Sequence, residues 1–259
     1  MKKIIEIIIW PILYAITQFT VALIFSLFFN SSLKLSSSEL ATYMETTEYQ
    51  DKLTLFLNNN KIFIVLICCA IFIPIFINMY KKYKGNYQDK LNKNNTIKFI
   101  IIGLLYSLVF NTLFYIIGNY TNVIENNYSV LNTMELITLI ISTVVLGPIL
   151  EEYLFRGVMY NKIKEYKFNN PYLLTSLVFT ITHMDILSMI YAFIISYILL
   201  HFYDKYKTIK APLIIHVSAN LMTLFLPYLF RLNIIYIIGI FIISTPVLIF
   251  YLKGEYKTK

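Results

Sequence analysis

Apolar positions dominate this chain in long runs of roughly 17–27 residues, broken by short polar stretches, a length suited to crossing a bilayer as helix. The runs predict spans at about 4–29, 62–80, 98–118, 134–160, 171–184, 186–203, 212–230 and 233–252. The expected fold class is therefore all-α: a polytopic transmembrane helical bundle of about eight spans. No proline-rich linker and no internal repeat divides it, so residues 1–259 are expected to form a single integral-membrane domain.

The polar breaks refine this picture. Lys2 and Lys3 precede an apolar stretch of about 26 residues, too long for the core of a secretory signal and followed by no small-x-small cleavage site. It is kept as the first span, with a possible kink at Pro11. Residues 31–61 form the longest outer loop. Ser36 and Glu39 there have capping-box spacing, and Leu40, Tyr43, Leu53 and Leu57 would give a surface helix an apolar face. The Asn- and Lys-rich stretch 81–97 is expected to be a polar cytosolic connection.

Composition agrees, at 58% hydrophobic and 17% aromatic residues, well beyond an ordinary soluble domain. Cys68 and Cys69 are adjacent inside an apolar run, without disulfide geometry or metal-ligand spacing, and are expected to pack. Richness in Ile, Asn, Lys and Tyr suggests an AT-rich, bacterial genome. The net charge of +8 has a placement that explains it without nucleic acid. With the N-terminus inside, 18 of the 22 basic residues fall on inner segments, leaving Lys34, Lys52, Lys61 and Arg231 outside. Both termini are thus expected in the cytosol.

Against this background, a few polar groups inside the apolar runs stand out. The uncharged run Leu136–Leu150 ends in Glu151-Glu152-Tyr153-Leu154-Phe155-Arg156. Carboxylates at membrane depth cost several kcal/mol unless paired or neutralised. Glu152 and Arg156, four apart, can pair on one helix face; Glu151, rotated by about 100°, is left to face another partner. The bland alternative is a pair of glutamates solvated at the headgroup level. The chain has three histidines. His201 sits at a predicted cytosolic helix end, where a cation suits the dipole, and reads as structural. His183 and His216 lie inside apolar runs, and Asn220 shares a face with His216.

Depth joins these groups. Counting from the nearest inner lysine, proline or alanine at about 1.5 Å per residue puts Glu151 roughly 16 Å in, His183 18 Å, Asn220 14 Å and His216 8 Å. Antiparallel helices would bring all four into one cytosol-facing layer.

Glu151-Glu152-x-x-x-Arg156, Phe179-x-x-x-His183 and His216-x-x-x-Asn220 resemble, in order, the three motifs of the CPBP intramembrane proteases, a group that includes the Rce1-type CAAX prenyl proteases and the bacterial Abi and bacteriocin-immunity proteins. The motif-bearing core covers about 134–230, and the first three spans carry no motif of the family. The resemblance implies an intramembrane endopeptidase in which Glu151 activates water with His183 as its partner. His216 and Asn220 would stabilise the oxyanion, and Glu152, Arg156 and Phe179 would support the site. The family's metalloprotease label makes zinc possible, with Glu151, His183 and His216 as a chemically reasonable ligand set. However, Asn is a poor zinc ligand, and a glutamate-activated water accounts better for Asn220. The substrate implied is a membrane-anchored peptide or protein, cleaved from the cytosolic side of a bacterial membrane. Two other readings remain: a non-catalytic bacteriocin-immunity or scaffold protein, and a proton-coupled transporter, for which the chain lacks the matched, broken repeats.

Overall fold

In the computed structural model, residues 2–83, 91–121, 133–183 and 185–257 are described. Lys84, Lys90 and Lys259, which entered the charge count, lie outside them. The described residues form helices and connecting turns without a strand, a polytopic all-α bundle.

Helix α1 (Lys2–Ser32) is long enough to cross a membrane and carries Pro11 within it. The outer segment forms two helices, α2 (Ser37–Met44) and α3 (Thr47–Asn59), where one surface helix was expected. Separate N-caps divide them. Ser36 and Glu39 close the anticipated capping box, and the Thr46 hydroxyl accepts from Tyr49 N. Leu40, Tyr43, Leu53 and Leu57 are partly buried, and Tyr49 is fully so, donating to Asn30 Oδ1 at 2.8 Å.

Helix α4 (Lys61–Lys81) and helix α5 (Lys93–Thr121) follow. Next comes a helical run of mixed geometry: α6 (Thr133–Leu139), a π-helical stretch Ile140–Leu146, α7 (Gly147–Glu152), a second π-helical stretch Tyr153–Tyr160, and α8 (Asn161–Glu165). Helices α9 (Pro171–Ile181), α10 (Ile186–Tyr206), α11 (Lys210–Thr223), α12 (Leu226–Leu229) and α13 (Ile234–Lys257) complete the chain.

Six helical stretches among the described residues are long and apolar enough to cross a membrane: Lys2–Ser32, Lys61–Lys81, Lys93–Asn119, Leu136–Glu165, Ile186–Tyr206 and Ile234–Tyr256. The other two expected spans are shorter helices. α9 has 11 residues and α11 has 14, roughly 16 Å and 21 Å of helix against the ~30 Å of a hydrocarbon core. Both carry motif residues: α9 packs one face on α10 and leaves Leu173, Leu177 and Ile181 exposed, and α11 packs chiefly on α5. The outward faces of the long helices are apolar and exposed, with Phe19 and Phe250 as examples, as lipid contact requires.

Packing of α11 on α5 depends on a small residue. A Cβ at Gly103 would fall 2.3 Å from Ile215 O and 2.8 Å from Ser218 Cβ, so only glycine permits this approach. One large core then draws residues from α1, α4, α5, α7, α9, α10, α11 and α13. Cys68 and Cys69 are buried and unbridged within it.

Ion pairs gather at one end of the bundle. Lys82 meets Glu165 at 3.0 Å, Lys164 and Lys207 meet Asp204 at 2.8 and 2.7 Å, Lys205 meets Glu255 at 2.8 Å, and Lys98 also pairs with Glu255. Here the Tyr166 hydroxyl donates to Glu6, which pushes the phenol up to about 12. This basic rim comprises residues the charge pattern put in the cytosol. His201 lies near it, stacked on Tyr256 with ring centroids 4.0 Å apart, in keeping with a structural role.

Candidate active site

The geometry centres on Glu152. Its side chain is fully buried, and Oε1 accepts from Arg156 Nη1 at 3.0 Å and from His216 Nδ1 at 2.8 Å. The i, i+4 pair anticipated from the sequence is therefore present, and it also anchors a histidine from another helix. Arg156 is itself fully buried, and its Nη2 donates to Ser196 Oγ at 3.0 Å and Ser196 O at 3.3 Å, tying the site to α10. The guanidinium lies 4.9 Å from the centroid of Phe179.

That ring does more than pack beneath His183. It is 5.1 Å from the His183 ring, 6.2 Å from His216 and 4.9 Å from Phe155, so it wedges three parts of the site apart at fixed spacing. His183 Nδ1 lies 3.1 Å from Phe179 O at the C-terminal end of α9.

Glu151 faces away from the Glu152–Arg156 pair, as its rotation on the helix predicted, and its Oε2 is 3.7 Å from His216 Nε2. The His216 ring thus bridges the two glutamates. With Nδ1–H donated to Glu152, Nε2 is turned to Glu151, as acceptor in the neutral ring and as donor in the protonated one. Asn220 is oriented by Thr143, whose carbonyl accepts from Nδ2 at 3.0 Å. Thr143 belongs to the π-helical stretch, a geometry associated with functional sites. One amide N–H of Asn220 remains for other partners.

Glu151, His183, His216 and Asn220 line one cavity of about 410 Å³. Its walls also include Tyr14, Gln18 and Lys61 from helices α1 and α4. Sequence reasoning missed Ser196, Thr143 and Lys61. Ser196 and Thr143 act through partners remote in sequence, Lys61 is brought to the cavity by the packing of α4, and none belongs to a motif.

Depth within the bundle is counted from the basic rim. Glu151 is separated from Glu165, at the basic rim, by 14 residues of helix, roughly 20 Å. Lys61 begins α4, whose other end is at the rim, and Thr223 ends α11. The cavity therefore lies in the half of the bundle away from the basic rim, at a depth close to the one counted from the sequence.

Donor placement also bears on zinc. Among the described residues no three His, Cys, Asp or Glu side chains are placed to share a metal ion. The Nδ1 atoms of His216 and His183 meet Glu152 and a backbone carbonyl, contacts that leave each Nε2 free as in a metal-ligating histidine, so it is the placement of Glu151, His183 and His216, and not their hydrogen bonding, that argues against the set.

Fold and site together define an integral-membrane helical protein with a carboxylate–histidine constellation enclosed between its helices. Residues 133–222, the stretch carrying every motif residue, match the family model described as Rce1-like, type II CAAX prenyl endopeptidase Rce1-like. That match bears out the family resemblance drawn from the three motifs. No curated protein matches the chain, and no solved structure matches it.

Proposed function

We propose that this protein is an intramembrane endopeptidase that hydrolyses a peptide bond of a membrane-anchored peptide or protein in a bacterial membrane. The observation that carries the reading is the arrangement Glu152–His216–Glu151, opening with His183 and Asn220 onto one cavity inside the bundle. A buried structural ion pair would need none of these cavity-facing groups.

In this reading Glu151 is the general base. It takes a proton from a water molecule, whose oxygen adds to the scissile carbonyl carbon. The negative charge passes to the carbonyl oxygen, where Asn220 Nδ2 donates, joined by His216 Nε2–H when that ring is protonated. One such donor is worth about 3–4 kcal/mol of the barrier. Collapse of the tetrahedral intermediate expels the amine, which takes up the proton held by Glu151, with His183 across the cavity as the group that orients or relays it. Glu152 and Arg156 touch no substrate; they fix the tautomer and position of His216.

Enclosure of the site by lipid-facing helices selects a substrate with an apolar or lipidated anchor. Cleavage of one quenched fluorescent peptide, with and without an N-terminal acyl chain, tests this in protein reconstituted into liposomes. The expected result is Glu151-dependent cleavage of the acylated peptide, at least about tenfold faster at equal bulk concentration, since its chain concentrates it in the bilayer. Equal cleavage of both forms would contradict it.

A further inference from the structure

Lys61 is unlike the other lysines facing its surroundings. It is half-buried at the start of α4 and lines the same cavity as Glu151 and His183. Lys82, Lys98, Lys164, Lys205 and Lys207 make ion pairs at the basic rim. By contrast, the Lys61 ammonium makes no hydrogen bond or ion pair with a described residue. Glu151 is its electrostatic neighbour, beyond ion-pair distance. Beyond Lys61 itself, Glu151 and the two histidines, the other polar residues lining the cavity, Gln18, Ser142, Thr143 and Thr223 among them, carry no charge.

An ammonium drawn into a partly dry cavity without a counter-ion is costly, and the cost is recovered when an anion binds there. The chain spends that cost beside its candidate general base. Lys61 also lies outside residues 133–222, on a helix that contributes no motif residue.

We propose that Lys61 is a specificity-determining residue that binds a carboxylate of the substrate peptide and so sets which bond is presented to Glu151. The inference rests on the endopeptidase reading for what happens after binding, but the binding step itself is separable. Its ammonium is a point charge with three donors, suited to a carboxylate that arrives from a flexible peptide end. The carboxylate has two possible sources, the peptide's C-terminus or an acidic side chain near the scissile bond.

Both steps can be read with one panel of acylated fluorescent peptides: a free C-terminal acid, the matching C-terminal amide, and that amide carrying one glutamate side chain near its end. Binding is measured by anisotropy on the full-length Glu151→Gln protein in nanodiscs, alone and combined with Lys61→Met or Lys61→Arg. Cleavage is measured on the protein with Glu151 intact. The proposal predicts that the acid, or the glutamate-bearing amide, binds at least about tenfold more tightly than the plain amide. Lys61→Met should abolish that preference without changing affinity for the amide, and Lys61→Arg should keep most of it. Preference for the free acid identifies the C-terminus, and preference for the glutamate amide identifies a side chain. Equal binding of all three peptides, or a preference unchanged in Lys61→Met, overturns the proposal. Acid-selective, Lys61-dependent binding with no cleavage by the intact protein would instead remove the endopeptidase reading and leave the carboxylate site standing.

Discussion

Glu152 illustrates how one side chain can be read two ways. From the sequence it is half of an i, i+4 ion pair; in the structure the same oxygen also holds His216. The pair was legible because its spacing is local. The histidine contact was not, because 64 residues separate its partners. Two outcomes follow at this scale. Arg156→Met leaves the buried Glu152 carboxylate uncompensated, and is expected to destabilise the fold by about 3–5 kcal/mol, seen as a lower thermal midpoint in detergent. A midpoint equal to wild type would show that the pair does not support the site. Asn220→Ala removes a proposed oxyanion donor and should lower kcat by about 10²–10³ with KM nearly unchanged. A change confined to KM would place Asn220 in binding instead.

Helices were legible as elements, since long apolar runs have few alternatives in a membrane. Their interruptions were not. Residues 140–146 are rich in β-branched side chains and 153–160 contain Gly157, but neither feature specifies a wider turn. The short length of α11 was likewise hidden, because the apolar sequence continues past Thr223 after the helix has ended, whereas α9 ends where Thr182, His183 and Asp185 break the apolar run. At the start of α10, Asp185 Oδ1 accepts from Ser188 N at 2.8 Å, and contacts to Ser188 hold its carboxyl below the usual aspartate range. A depressed folded value contributes stability that is present above the ordinary aspartate pKa and lost as pH falls through the depressed one. Asp185→Ala should therefore cost about 0.5–2 kcal/mol at neutral pH and little in strong acid, by pH-dependent melting. Gly103 matters more for the site. Gly103→Ala must push α5 away from α11, and His216 and Asn220 ride on α11. The expected cost is about 1–3 kcal/mol together with impaired activity. Full activity and stability would mean that the contact is slack.

For the whole molecule, the distribution of lysines predicted one basic end, and the ion pairs at Asp204, Glu165 and Glu255 assemble it. Charge orients a bundle but does not by itself say from which face a cavity opens. Sidedness can be checked in intact cells with a membrane-impermeant maleimide: Lys52→Cys on α3 should label, and Lys164→Cys on α8 should label only after permeabilisation. Labelling of both from one side would reject the arrangement. The central claim is narrower, that Glu151 is the base of a peptide-bond hydrolase. It is tested most directly by comparing, by mass spectrometry, the peptides in membranes and medium of cells producing wild type or Glu151→Gln at matched levels. The account predicts at least one new peptide terminus present with wild type and absent with Glu151→Gln. Identical peptide profiles, with a biological effect retained by Glu151→Gln, would contradict it.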